Sequence, residues 1–192
     1  MILKEDYRSI VEQDKGVIVK TFKDGSILNP ESFNDEWKYH INNFGSLYGH
    51  FPKILELSET RIVMEEVYGT PFTKTRMESY QRSIEDQITD FKLLQFAYYK
   101  FIHNLLKYNI DYKCNLIHKD LNYNNMFLSD SRWHHDANLL VCIDLDSAKI
   151  FEFTVPNSFI TFPHSIMQAD AESLEYQMNR QEQRKLKEKY EN

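Results

Sequence analysis

Cysteine is scarce. The chain has two, Cys114 and Cys142, with no Cys-x-x-Cys spacing, which excludes a disulfide framework and a cysteine-based zinc site. Each lies among apolar residues and reads as a buried free thiol. A basic excess is missing as well. The net charge of −6 argues against a general nucleic-acid binder, whose surface is basic. No apolar run approaches the roughly 18–20 residues needed to span a bilayer. Residues 1–6 lack the apolar stretch of a signal peptide, so the expected location is cytoplasmic, with no membrane span. There is no internal repeat, and no low-complexity block before the tail.

What is present is enough to bury a core. Of 192 residues, 42% are hydrophobic, with 13 Phe and 12 Tyr. That composition fits one domain, or two small lobes around a cleft. Residues 8–13 and 17–22 read as strands, the second β-branched and alternating, and Lys23-Asp24-Gly25 as a turn. A helix is expected from Asn29-Pro30-Glu31, an N-cap followed by proline and an acid in the first turn. Phe33, Trp37, Ile41 and Phe44 continue it at helical spacing, and Gly45 is the expected stop. Residues 51–57 and 61–67 read as two strands, and Gly69-Thr70-Pro71 breaks the pattern.

Beyond Pro71 the chain turns helical. Ile88, Phe91, Leu94, Tyr98, Phe101 and Leu105 form an apolar stripe at spacings of three and four, predicting a helix buried on one face and ending near Asn109. The Tyr98-Tyr99 pair on it reads as core and groove wall. A short apolar run, Leu116-Ile117, precedes a polar loop at 118–125. Residues 126–128 and 139–143 read as a pair of short strands. His134-His135-Asp136 falls in the turn between them and reads as surface, because adjacent histidines share one ion poorly. The last stretch, about 168–192, carries mixed charge and reads as a solvated helix or tail, with a partner-binding arm as the alternative.

The chemistry concentrates in His118-Lys119-Asp120-Leu121-Asn122-Tyr123-Asn124-Asn125 and in Val141-Cys142-Ile143-Asp144-Leu145-Asp146. Phosphoryl transfer needs a carboxylate to meet the incoming hydroxyl, oxygen ligands for magnesium, and fixed charge against the phosphates. Asp120 opens the polar loop, Asn125 follows five residues later with an amide oxygen, and Asp144 stands at the end of an apolar strand. The bland alternatives are an Asx-rich turn for residues 120–125, an exposed strand residue for Lys20 and a solvated helix residue for Glu36, while Asp146 reads equally as a second metal ligand or a helix cap.

The pattern His-x-Asp-Leu-x-x-x-Asn followed by Ile-Asp resembles the catalytic and metal loops of the protein-kinase-like superfamily. The form Asp-Leu-Asn-x-x-Asn with Ile-Asp-Leu-Asp is most similar to its aminoglycoside phosphotransferase and lipopolysaccharide kinase branch. Val17-Ile18-Val19-Lys20 resembles the strand whose lysine holds the nucleotide phosphates. Ile62-Val63-Met64-Glu65-Glu66-Val67-Tyr68-Gly69 resembles the strand and hinge beside the adenine. The resemblance covers about residues 8–150. It implies an α+β, two-lobed fold: residues 1–68 form a small antiparallel-sheet nucleotide-binding lobe with one helix. Residues 69–192 form a reduced, mainly helical catalytic lobe.

It further implies ATP and magnesium as cofactors, with Asp120 as catalytic base and Asn125 and Asp144 as metal ligands. Lys20 would hold the phosphates, Glu36 would pair with Lys20, and backbone groups at Glu65, Glu66 and Val67 would hold the base. His118 would brace the loop. The partners so implied are ATP and a hydroxyl-bearing small molecule, sugar or protein, without nucleic acid.

The chain departs from that family in three ways. No glycine-rich loop precedes Lys20, the metal triplet is Asp144-Leu145-Asp146, and only 46 residues follow Asp146. The departures motivate an alternative, a pseudokinase that binds nucleotide or protein without turnover. Phe151, Phe153, Phe159 and Phe162 predict a homodimer covering apolar surface; a monomer mass in solution scattering would refute it.

Overall fold

Lys15 and Gly16 both have positive φ, 48° and 83°, the geometry of a two-residue hairpin turn. That turn joins the first well-defined strands in a computed structural model that describes residues 1–23, 28–29, 32–79, 81–134, 136, 138–152, 179–180, 182–184 and 187–188. The chain runs β1 (Ile2–Glu5), β2 (Ser9–Asp14), β3 (Val17–Phe22), α1 (Asp35–Tyr48), β4 (Ile54–Ser58) and β5 (Arg61–Glu65). These strands make one antiparallel sheet in the order β1-β2-β3-β5-β4. β3 is therefore interior, paired on both sides, with Lys20 opposite Val11 and Ile62. Lys20 is not on an edge.

The helix starts later than the sequence predicts. Asn34, not Asn29, is the N-cap, its side chain accepting the Trp37 N–H at 3.0 Å. Pro30 and Glu31 lie outside the described residues, as do Asp24 and Gly25 of the expected turn. Asp35 and Glu36 occupy the acidic first turn, the place expected for Glu31. Gly45 is helical rather than terminal, because a Cβ there would lie 2.5 Å from the Phe51 carbonyl oxygen. The helix runs on to a left-handed cap at Gly49.

The second half runs β6 (Gly69–Pro71), α2 (Phe72–Ser79), α3 (Ile84–Tyr112), β7 (Cys114–His118), β8 (Met126–Ser129), β9 (Leu140–Cys142) and β10 (Ala148–Glu152). Gly69-Thr70-Pro71 does not merely interrupt the pattern; it pairs with β8. A Cβ at Gly69 would sit 2.1 Å from the Leu128 carbonyl oxygen, so glycine alone permits that approach. β8 pairs in turn with β9, and β10 with β7. Short strands thus share this half with the helices, and β1, β7 and β10 are additional to the predicted set, β7 having read only as a short apolar run.

The predicted stripe on α3 is buried at Phe91, Leu94, Tyr98, Phe101 and Leu105. The helix passes Asn109 because that buried amide bonds the Leu116 backbone twice, its Nδ2 donating to the carbonyl and its Oδ1 accepting the N–H. Cys114 and Cys142 are free and buried. Among the described residues no helix is long and apolar enough to cross a membrane. Of the four phenylalanines behind the dimer expectation, Phe151 is half-buried under Lys119. Phe153, Phe159 and Phe162, like most of the charged tail, lie outside the described residues.

His50 ties the halves together. Its Nδ1 donates to the Leu140 carbonyl at 2.6 Å, and its Nε2 accepts from Asn104 at 2.9 Å. Burial pushes its pKa down to about 4. A histidine depressed below its unfolded value binds fewer protons in the folded state. Its contribution, up to about 3 kcal/mol, is complete above pH ~6.5 and is lost as pH falls toward 4. Buried His118, also depressed by burial, acts in the same direction. The urea midpoint is expected to fall between pH 6.5 and 4, and less steeply in His50→Gln. Equal slopes in the two proteins would mean that His50 is not held neutral.

Candidate functional site

β1 pairs β2 with a bulge between Ile2 and Lys4. The bulge breaks strict alternation, and both Leu3 and Lys4 face one cavity. That cavity, about 620 Å³, lies between the five-stranded sheet and the loops of the second half. Val11, Ile18, Met64, Phe127 and Ile143 supply apolar walls, and Lys20, Asn125 and Asp144 supply its polar end. Glu65, Glu66 and Val67 line it as the chain leaves β5. Thus seven of the eight residues singled out from the sequence gather here: six line the cavity, and Asp120 is one hydrogen bond away through Asn125.

Lys20 is 9% exposed. Its ammonium bonds the Asp144 carboxylate and, at 2.6 Å, that of Asp146. Burial alone would lower the Lys20 pKa; the two carboxylates, Asp146 foremost, outweigh it and raise it. Burial likewise lifts Asp146 to about 6, helped by adjacent Asp144 and opposed by Lys20. Asp144 resists the same burial through hydrogen bonds from Asp146 and Lys20 and stays below the ordinary carboxylate value. Its backbone is left-handed, φ 64° and ψ 47°, a conformation costing about 1–2 kcal/mol that aspartate tolerates better than most residues. The strand itself stops at Cys142, so this turn, not a strand end, sets the direction of the side chain.

The polar loop is cross-braced. His118 is buried; its Nε2 donates to the Ile143 carbonyl at 2.9 Å, leaving Nδ1 to accept the Asp120 N–H at 3.3 Å. One imidazole therefore fixes both the residue before Asp144 and the backbone of Asp120. The Asp120 carboxylate accepts from Asn122 at 2.8 Å and from Asn125 at 2.9 Å. Asn122 also caps a single 3-10 turn, Tyr123–Asn125, by accepting the Asn124 N–H. The Asx turn is real, and it serves to orient Asp120. Asn124, which the sequence reading left without a role, also lines the cavity.

Glu36 is the correction. It is exposed and lies in a different cavity, with Trp37, His40, Tyr112 and Lys149. The inward stripe of α1 is Trp37, His40, Ile41 and Phe44, and Glu36 falls off that stripe. Its predicted place beside Lys20 is taken by Asp146, two residues from Asp144, a separation that sequence spacing on α1 could not reveal. The base-binding groups also narrow. The N–H groups of Glu65 and Glu66 donate to the carbonyls of Lys53 and Gly16, so neither is open to a ligand. The Val67 N–H has no acceptor among the described residues.

Two details bear on phosphate and metal. The N–H groups of Arg8 and Ser9, in the β1–β2 turn, both donate to the Asp6 carboxylate at 2.8 Å. Those bonds hold the Asp6 pKa down at about 2. The Asp6, Arg8 and Ser9 N–H groups are thus all bonded within that turn. Asn125 gives its Nδ2 to Asp120, which leaves its amide oxygen as the atom for a cation. Among the described residues no three His, Cys, Asp or Glu side chains gather to hold an ion by themselves. One carboxylate and one amide oxygen fit magnesium, which keeps waters and takes phosphate oxygens as further ligands.

No protein-family model matches the chain, and no curated protein matches it.

Proposed function

We propose that this protein is an ATP- and magnesium-dependent phosphotransferase of the protein-kinase-like superfamily, moving the γ-phosphoryl group to a hydroxyl of a small molecule, sugar or protein. The observation that carries the reading is the convergence of Lys20, Asn125 and Asp144 on one cavity with apolar walls. Those residues come from two distant parts of the chain, Lys20 from β3 and Asn125 and Asp144 from either side of the β8–β9 pair. An ordinary ion pair explains Lys20 with Asp144, but not a flanking slot of apolar residues that ends at the Val67 N–H, which has no acceptor among the described residues.

The order of elements supports the two-lobed arrangement, with residues 1–68 as the nucleotide lobe and 69–192 as the catalytic lobe. A five-stranded sheet with one helix leads through the Glu65–Val67 segment into a long helix, a braced polar loop and a strand pair. In this reading the base lies between Val11 and Ile18 above and Phe127 below, donating to or accepting from the Val67 backbone. Lys20 meets the phosphates. Asp120 orients the acceptor hydroxyl and takes its proton, its carboxylate held by Asn122 and Asn125. Asn125 and Asp144 would hold magnesium, which when bound neutralises phosphate charge. To hold it, Asp144 would turn its carboxylate from Lys20, which would keep Asp146 as its partner.

Binding to the native state raises stability by mass action, about 2.7 kcal/mol at a hundredfold excess over Kd. The melting temperature is therefore expected to rise with ATP and magnesium, and to stay flat in Asp144→Ala. No rise with any nucleoside triphosphate would remove the reading.

Lys4 is expected to act as a second phosphate cation in place of a glycine-rich turn. It lines the same cavity, and its charge reaches Asp144. It is exposed, with Asp6 at 3.3 Å, so the effect is modest: Lys4→Ala should raise the KM for ATP several-fold and leave kcat near wild type. An unchanged KM would assign the phosphates to Lys20 alone.

A second reading is a binding module without turnover. The Asp6-capped turn favours it, since those backbone N–H groups already have an acceptor. ATP binding without transfer to any acceptor or to water would decide for it.

A further inference from the structure

We propose that Asp146 is the positioning residue for Lys20, doing the work that a glutamate on α1 would otherwise do; the phosphate half of this statement rests on the phosphotransfer reading. Lys20 projects from an interior strand, and its ammonium has two carboxylate partners, Asp144 and Asp146. Their side chains are 30% and 18% exposed, against 11% for Lys20. The two partners are not equivalent. Asp144 lines the cavity beside Asn125, whereas Asp146 is absent from its lining. When Asp144 turns to a cation, a buried ammonium left alone would be strongly unfavourable. Asp146 remains to compensate it, from behind, and keeps the amine aimed along the slot.

Asp146 is itself well anchored. It sits in a 3-10 turn, Leu145–Ser147, with Leu145 fully buried. Ser147 bonds back to the Asp144 carbonyl at 3.0 Å and accepts the Lys119 N–H at 3.2 Å. The next residue, Ala148, accepts the Trp37 indole N–H at 3.1 Å. So α1 does reach Lys20, through Trp37, Ala148 and the turn carrying Asp146, and not through Glu36. The device lies within the Asp144-Leu145-Asp146 triplet, and the helix supplies a brace rather than the charge.

The test uses the full chain as wild type, D146N, D146E and E36Q. With ATP and magnesium, D146N is expected to need about tenfold more ATP for the same rise in melting temperature, a loss of about 1.4 kcal/mol in binding. D146E should recover most of the rise, and E36Q should match wild type. In the turnover assay D146N should raise the KM for ATP more than it lowers kcat. A separate arm needs no nucleotide. In urea, K20M, D146N and the double variant should be non-additive, as directly paired residues are.

Additive midpoints would overturn the pairing, and so would an E36Q protein that loses the ATP response while D146N keeps it. If D146N does not fold, D146S takes its place in both the ATP and the urea comparisons. A wild type without any ATP response would defeat the phosphotransfer reading and the phosphate role, while the urea arm would still report whether Asp146 holds Lys20.

Discussion

Asp120→Asn is expected to lower phosphoryl transfer by on the order of 10²–10⁴, the usual cost of removing a general base, while ATP binding stays at the wild-type level. Asp120 is exposed and does not line the cavity that Lys20, Asn125 and Asp144 share. Its work is confined to its carboxylate, which receives one amide from Asn122 and one from Asn125. Asparagine keeps the volume and can accept one of those bonds through its oxygen. It cannot take a proton from an acceptor hydroxyl. The cost to stability is small, because one lost bond at an exposed site is worth about 0.5–1.5 kcal/mol at most. Labelled-ATP transfer and the ATP-induced melting shift, measured on the same preparations, separate the two effects. Equal transfer by both proteins would mean that Asp120 is not the base.

Phe44→Ala should give the largest loss of stability. Phe44 is fully buried on α1. Its ring meets Tyr48, Phe51, Phe101 and Tyr108 at centroid distances of 5.3, 4.9, 6.2 and 5.3 Å, and stacks on His50 at 5.7 Å. Those partners belong to α1, the α1–β4 connection and α3, so one ring joins the sheet half to the helical half. Truncating a buried phenylalanine costs about 3–5 kcal/mol, transfer and cavity together. For a chain of this size that corresponds to a fall of roughly 10 °C in melting temperature. The loss should exceed that of any single change at the cavity lip, such as Lys4→Ala. A fall of only a degree or two would mean that the aromatic cluster repacks and that α1 is held mainly by Trp37 and its bond to Ala148.

The strands at 17–22 and 126–128 and the stripe on α3 were legible because period and composition agree locally. Lys20, Asp120, Asn125 and Asp144 stood out as a set because their motifs and order resemble those of the protein-kinase-like superfamily, and the fold does bring them to one cavity. What sequence could not show was set by tertiary contact. Gly45 looked like a helix stop until Phe51 packed against it, and Gly69 looked like a break until β8 came alongside. Glu36 lay on the right helix at a fair distance, but the buried stripe of Trp37, Ile41 and Phe44 turned it outward. Asp146 stood undecided between ligand and cap, and its partner comes from a strand more than a hundred residues earlier. The lack of a glycine-rich loop was visible, but that Asp6 would take the Arg8 and Ser9 N–H groups of the β1–β2 turn was not.

The most direct test is photolabelling with 8-azido-ATP in the presence of magnesium, with the modified residues located by peptide mass spectrometry. Crosslinks on the cavity walls, at Val11, Ile18, Met64 or Phe127, that vanish with excess ATP and are lost in Asp144→Ala are the predicted result. Crosslinks in the cavity beside Glu36 and Tyr112, or labelling that ATP does not displace, would contradict it.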